Sequence, residues 1–336
     1  MRKIACEEAF NIPEIAMELR KLAKFGGTSK DFVLIKALYS EGISGYNAEF
    51  LPKLLDVDNM RLKQMDALGI DMHVLSLTVP GVQMFDADTA TELAQLFNDQ
   101  LAEIVARHPR RYAGLAAFAP QSPKRAAKEI ERAITKLRLN GLLVNSHTYD
   151  QYYDEEKYYP FFEAAESLDA AIYLHPRAPM TGLDRPFDRY WMEAALWGYG
   201  VEASTHALRL IFCGLFDRFP KLKIVLGHMG EGLPFWLTRI DFMHDEAVIT
   251  GNAPKLQLTP SEYFKRNFVI TTSGQENHLA LRYSLDMLGD DNVMWAIDYP
   301  YQPMEPAVRF METAPINEAV KAKVFGATAA RIFHID

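Results

Sequence analysis

Four ionisable side chains stand where short apolar runs end: Glu7 after Ile4-Ala5-Cys6, His175 after Ala170–Leu174, His228 after Lys223–Gly227, and Asp298 after Val293–Ile297. Carboxylates and imidazoles are the groups best suited to hold a divalent cation or to move a proton. Glu7, His175 and Asp298 supply two carboxylates and one imidazole. Zn, Mn and Fe accept such a set, and three protein ligands leave positions for substrate and water. Two oxygen donors against one nitrogen, with no thiolate, favour a harder ion such as Mn, with Zn as the alternative. Taken alone, Glu7-Glu8 also reads as a solvated acidic turn near a chain end. Glu8 is assigned no role. Cys6 is expected on the opposite strand face from Glu7, as a packed thiol.

His228 belongs to Leu226-Gly227-His228-Met229-Gly230-Glu231, where the two glycines permit a tight backbone path and Glu231 can orient the imidazole. A histidine–glutamate pair acting on a substrate's acidic group or as a proton relay is one reading of it. A further metal ligand or a hydrogen-bonded core histidine is the other. Arg239, within the helix that follows, fits a substrate carboxylate or a plain ion pair equally well. His147 also follows an apolar run, His73 lies inside one and His206 inside a helix. His108, His244, His278 and His334 read as surface residues.

The elements that position these groups alternate along the chain. Strands are expected at Ile4–Cys6, 72–77, 112–118, 141–145, 170–175, 223–228, 268–272 and 293–298. They are near-continuous apolar runs, as in strands buried on both faces. Helical spacing fits 56–68, 89–107, 158–168, about 192–216, 233–244, 277–288 and 317–333, and Ser122 is the expected N-cap of a helix over 123–137. Eight βα units point to a (β/α)8 TIM barrel as a single domain over 1–336, with an open doubly wound sheet as the alternative. In such a barrel the C-terminal strand ends share one mouth, which is where the four ionisable residues would meet. Residues 11–55 form a long insertion after strand one, expected to be a lid or a subunit contact.

A formal net charge of −8 speaks against nucleic acid or an anionic membrane surface as partner. Two cysteines, Cys6 and Cys213, give no disulfide framework and suit a reducing cytoplasm. The chain opens with no secretory pattern and contains no apolar run of membrane-spanning length.

The strand-end set Glu-Glu-Ala-Phe, Leu-His-Pro, Gly-His-Met-Gly-Glu and Ile-Asp-Tyr-Pro resembles the amidohydrolase superfamily over essentially the whole chain. It is most similar to the branch that decarboxylates ortho-hydroxylated aromatic acids, of the 5-carboxyvanillate, 2,3-dihydroxybenzoate and γ-resorcylate kinds. The resemblance implies a Mn-type site, sometimes Zn, at Glu7, His175 and Asp298, with His228 and Glu231 as the catalytic pair. It also implies Arg239 and Tyr301 against the substrate, and a homodimer or homotetramer. Hydrolytic members carry His-x-His at the end of strand one; here the positions are Glu7 and Ala9, and Ala9 cannot bind metal. Carboxyvanillate enzymes reach the neighbouring site with an arginine from the loop after strand one. Residues 26–55 hold none, and Tyr46 stands nearest to that position.

The expected reaction is a non-oxidative decarboxylation in which Asp298 protonates the ring carbon bearing the carboxylate. Metal-dependent hydrolysis of an amide or lactone is the alternative enzyme reading. A catalytically silent metal-binding or assembly protein is the alternative from another class.

Overall fold

The apolar runs form eight parallel strands: β1 (Ile4–Phe10), β2 (Met72–Leu77), β3 (Tyr112–Ala117), β4 (Gly141–Asn145), β5 (Ile172–His175), β6 (Ile224–Leu226), β7 (Phe268–Thr271) and β8 (Val293–Met294). A computed structural model of the chain describes all of residues 1–336. The strands pair in sequential order from β1 to β8. The seam back to β1 closes through Cys6 N–H to Trp295 O (3.2 Å) and Ala9 N–H to Tyr299 O (2.8 Å). This is the (β/α)8 barrel, not the open sheet. Nearly every strand residue is buried because side chains inside the barrel pack on one another and those outside pack on the helical ring.

Several boundaries differ from the periodicity-based reading. Strand eight is two residues long, because the chain leaves the ladder after Met294 and runs irregularly to Asp298. The helix expected from Asp56 starts at Met60, since the Asp56 carboxylate accepts from Asn59 N–H (3.0 Å) and Arg61 N–H (2.8 Å) and holds a turn first. The helix expected from Met192 starts at Gly198 and ends at Phe212. The helix after β6 runs longer than expected, Leu233–Ile249. Ser122 is an N-cap residue, but its hydroxyl accepts from Arg125 Nε (3.0 Å) and no backbone N–H reaches it. The last helix, expected to be continuous, is broken by a π-helical stretch over Lys323–Ala327.

The insertion is mostly helical, with helices Pro13–Phe25, Asp31–Tyr39 and Phe50–Leu55. Their apolar faces (Ile15, Leu19, Ile35, Leu38, Leu54) are buried. Asp31 reaches the segment after β5, where it takes Arg177 Nη2 at 2.6 Å. No helix is long and apolar enough to cross a membrane.

One irregularity in β1 decides how the site is built. Ala5 pairs with His73 and Glu8 with Leu75, so Cys6 and Glu7 together oppose Val74. Two residues against one is a β-bulge, which interrupts alternation and re-aims a side chain. Cys6 therefore packs inside the barrel with Ile4, Val74 and Met294, and Glu7 also turns inward, to the Tyr173 hydroxyl. Cys6 is a buried thiol as expected, but it does not lie on the face opposite Glu7.

Candidate metal and catalytic site

Glu7 is buried and its two oxygens have different fates. Oε2 accepts from the hydroxyls of Tyr173, on β5, and of Thr271 and Ser273, at the end of β7. Oε1 receives no hydrogen bond. It faces His175 Nε2 at 3.4 Å and His228 Nε2 at 3.5 Å. Gly227 is required here for space, not for its φ. A Cβ on it would sit 2.8 Å from Glu7 Oε2 and 3.2 Å from the Tyr173 hydroxyl. Burial pushes the Glu7 carboxyl up. The imidazoles of His228 and His175, with the Ser273 and Tyr173 hydroxyls, outweigh that and hold it below its ordinary value.

The two imidazoles present the same nitrogen to Glu7 but are held differently. His175 Nδ1 contacts Pro176 O at 2.7 Å. A carbonyl only accepts, so Nδ1 carries a proton and Nε2 is the nitrogen turned to Glu7. His228 Nδ1 instead meets Glu231 Oε1 at 2.6 Å, and its Nε2 lies 3.8 Å from Asp298 Oδ2. Burial lowers the His228 pKa, but the Glu231 and Glu7 carboxylates and the contact with Asp298 raise it well above the ordinary value.

His228 does not end a strand. The chain turns after Leu226, and His228, Met229, Gly230, Glu231 and Gly232 all take left-handed φ values (50, 56, 70, 53 and 76°). For each non-glycine residue this conformation costs about 1–2 kcal/mol. It is held by Gly230 N–H to Gly227 O (2.7 Å) and by His228 N–H to the Ser273 hydroxyl (3.0 Å). Strain of this kind persists where the surroundings over-determine it, and here it folds Glu231 back under His228.

Asp298 completes the group, in a loop beyond β8 and with φ at +76°. Glu7, His228 and Asp298 each offer a ligand atom within 4.8 Å of the others, and His175 Nε2 adjoins them through Glu7 Oε1. Burial raises the Asp298 pKa, with help from the Glu7 charge and against the pull of His228 and His175. A buried carboxylate oxygen without a donor, beside a second carboxylate and imidazole nitrogens, fits a divalent cation. A cavity of about 450 Å³ opens above it, lined by His228, Glu231, Asp298 and Gln302 and walled by Trp197, Tyr199 and Trp236.

The remaining expected residues are placed unevenly. Glu231 is in the site. Arg239 is exposed on the helix Leu233–Ile249, one turn beyond Trp236, and does not line the cavity. The Tyr301 hydroxyl shares a hydrogen bond with Thr78 Oγ1 (2.6 Å), and its ring stands 5.4 Å from Phe50. Exposed Tyr46 meets Phe50 edge-on, and Tyr46, Tyr301 and Gln302 line one groove. His147 is buried in a structural network, with Nε2 3.0 Å from Ala178 O. His244, read as a surface residue, is buried and stacks on Phe212. Sequence reading missed Tyr173, Thr271 and Ser273. Their signal was polar residues in and beside otherwise apolar strands. It also missed Glu8, which is completely buried.

Residues 53–335 match the amidohydrolase family, and the chain belongs to it. Among solved structures it is similar to 5-carboxyvanillate decarboxylase from Sphingomonas paucimobilis, 57% identical, with TM-score 0.97 and covering 100% of this chain and 99% of that one. It is also similar to the Novosphingobium aromaticivorans 5-carboxyvanillate decarboxylase complexed with manganese and 4-hydroxy-3-methoxy-5-nitrobenzoic acid (37% identical, TM-score 0.95, covering 99% and 96%). A γ-resorcylate decarboxylase of Rhizobium radiobacter is 36% identical over 342 residues, covering 99% of this chain and 98% of that protein.

Proposed function

We propose that the protein is a metal-dependent, non-oxidative decarboxylase of an ortho-hydroxylated aromatic acid, a carbon–carbon lyase. The observation that carries the proposal is the undonated Glu7 Oε1 facing two imidazole nitrogens beside Asp298, under an aromatic-walled cavity. The decarboxylase relatives on both sequence and structure support it over amide or lactone hydrolysis. Glu7, His175 and Asp298 are the proposed ligands. Manganese is favoured by their oxygen-rich set and by its presence in a similar enzyme, with zinc as the alternative.

A divalent cation bound there supplies Lewis-acid charge that holds a carboxylate and its ortho oxygen in one orientation. The chain's own groups do the rest. The Trp197, Tyr199 and Trp236 rings suit a flat aromatic substrate. Asp298 delivers a proton to the ring carbon that bears the carboxylate, its protonated form favoured by the negative oxygens of the bound substrate. The C–C bond then breaks, its electron pair returns to the ring, and CO2 leaves. His228, kept cationic by Glu231, stabilises the negative charge of the departing carboxylate. Arg239 and Tyr301 are proposed substrate contacts. Trp236, three residues before Arg239, shares its helix face and lines the cavity, and Tyr301 adjoins Gln302 at the cavity rim.

A homodimer or homotetramer is proposed as well, with the exposed Phe235, Trp236 and Phe242 of one helix as support and the insertion over 11–55 as a lid or subunit contact. Two unpaired cysteines support a cytoplasmic setting. The deciding experiment incubates manganese-loaded protein with a panel of ortho-hydroxybenzoates, following CO2, beside a panel of lactones and amides. CO2 release from one or more of the aromatic acids is expected. Lactone or amide cleavage with no CO2 from any aromatic acid would reverse the assignment.

A further inference from the structure

Glu8 is the least accessible carboxylate in the molecule and points away from the barrel interior that Glu7 faces. Its Oε1 accepts the Ile297 N–H (3.0 Å) and its Oε2 the Tyr299 N–H (3.2 Å). These are the amides on either side of Asp298. The β7–β8 ladder ends at Met294, short of both amides. The seam with β1 is reduced at this level to one bridge between Glu8 and Tyr299. The two oxygens of one side chain therefore take the place of the missing ladder, and they fix the backbone that holds Asp298 at its left-handed φ of +76°.

Buried basic side chains lie behind the carboxylate without bonding to it. Arg61 is buried, anchored by Nη2 to Ala9 O (2.7 Å) and Nε to Asp56 O (3.1 Å), and its guanidinium lies 4.7 Å over the Tyr299 ring. His73 Nδ1 lies 3.9 Å from Glu8 Oε2. None of these groups reaches the cavity, so they act on the reaction only through Asp298.

We infer that Glu8 is a positioning residue for the reaction: its carboxylate clamps the amides of Ile297 and Tyr299 and so sets the direction in which Asp298 presents its carboxyl group. This rests on the reading of Asp298 as the group at the reacting centre. A buried carboxylate that only stabilised the fold would grip any nearby donors. This one grips the pair that brackets Asp298, in the loop beyond β8. The Cys6–Glu7 bulge explains why adjacent glutamates serve one site from two sides of the sheet, Glu7 from within and Glu8 from without.

The test is E8Q, which keeps side-chain volume but places an NH2 group against one of the two N–H donors. Assayed well below its unfolding temperature and normalised to bound manganese, E8Q is expected to lose roughly 10- to 100-fold in kcat with KM changed less than about threefold, as for a displaced reacting group. Its manganese electron paramagnetic resonance spectrum should differ from that of the parent protein, and its crystal structure should show Asp298 moved out of its left-handed conformation. Parent-like kcat per bound metal, or Asp298 unmoved in the crystal, would overturn the inference. Should E8Q not accumulate as folded protein, E8D keeps both oxygens but is one methylene too short to span both amides, and the same readouts apply. A parent protein that releases no CO2 from any aromatic acid would sink the decarboxylase reading alone. The position of Asp298 in parent and variant crystals still decides the role of Glu8.

Discussion

Two clusters of buried ionisable groups lie side by side at the mouth of the barrel and differ in how their oxygens are used. In the first, Glu7 Oε1 has no donor and points with Asp298 and two imidazoles towards an open cavity. In the second, behind the loops that follow β4 and β5, all four carboxylate oxygens of Asp31 and Glu202 are filled by the protein. Asp31 Oδ2 takes Arg177 (2.6 Å) and Ser29 (2.8 Å), and its Oδ1 takes the Ala178 N–H (3.2 Å). Glu202 takes Ser146 and Tyr152, both at 3.0 Å. The residue types are nearly the same. The first cluster keeps a carboxylate oxygen in reserve, and the second commits its carboxylate oxygens to holding loops together. Unsatisfied capacity next to a cavity, not the presence of acids and histidines, separates reactive from structural clusters.

The largest expected effect tests the reactive half of that contrast. Asp298→Asn cannot deliver a carboxyl proton, and kcat should fall about 10³- to 10⁴-fold, equivalent to roughly 4–5 kcal/mol of activation free energy. Metal content measured by elemental analysis should persist in part, through Glu7 and His175, and the urea unfolding midpoint should hardly move. Robust turnover in this variant would remove Asp298 as proton donor and blur the distinction between the clusters.

The first cluster was legible in sequence because each member follows an apolar run, and a parallel barrel brings all such ends to one mouth. Glu7, His175, His228, Asp298 and Glu231 do lie together, although only His175 ends a strand. What escaped was carried by the backbone. The bulge at Cys6 and Glu7 is a register shift in the ladder and leaves no side-chain period to read. Glu8 escaped for a related reason, since its partners are amides of residues 297 and 299, whose side chains are irrelevant to the contact. The left-handed turn was hinted at by Gly227 and Gly230, but three of its residues are His228, Met229 and Glu231, which rarely adopt it. The Asp31–Arg177 pair joins residues 146 positions apart, beyond any local pattern.

The structural half is tested next. Asp31→Ala leaves the Arg177 guanidinium buried without its counter-charge, and removing one partner of such a pair costs about 3–5 kcal/mol. Urea unfolding should show that loss, while kcat per folded, metal-loaded molecule stays far closer to the parent value than in Asp298→Asn. If activity instead fell as far as in Asp298→Asn without a loss of stability, the second cluster would be part of the catalytic apparatus and the comparison would break.

The smallest effect is a pH dependence confined to the second cluster. Burial lifts the Glu202 pKa to about 7, only partly offset by its hydrogen bonds from Ser146 and Tyr152. An unfolded glutamate titrates near 4.3, so between about pH 4.5 and 7 the folded chain retains a proton that the unfolded chain has lost. The unfolded state binds fewer protons in that window, and stability therefore falls as pH rises through it, by at most about 4 kcal/mol at ~1.4 kcal/mol per pKa unit. Glu202→Gln removes this slope. The difference between parent and variant unfolding free energies, which cancels the opposite trend of His147 (pKa lowered by burial to about 4), should grow in the variant's favour from pH 4.5 to 7 and then level off. A difference independent of pH would mean that Glu202 is ionised throughout, with a counter-charge close enough to sustain it. The second cluster would then hold a carboxylate charge beyond the Asp31–Arg177 pair.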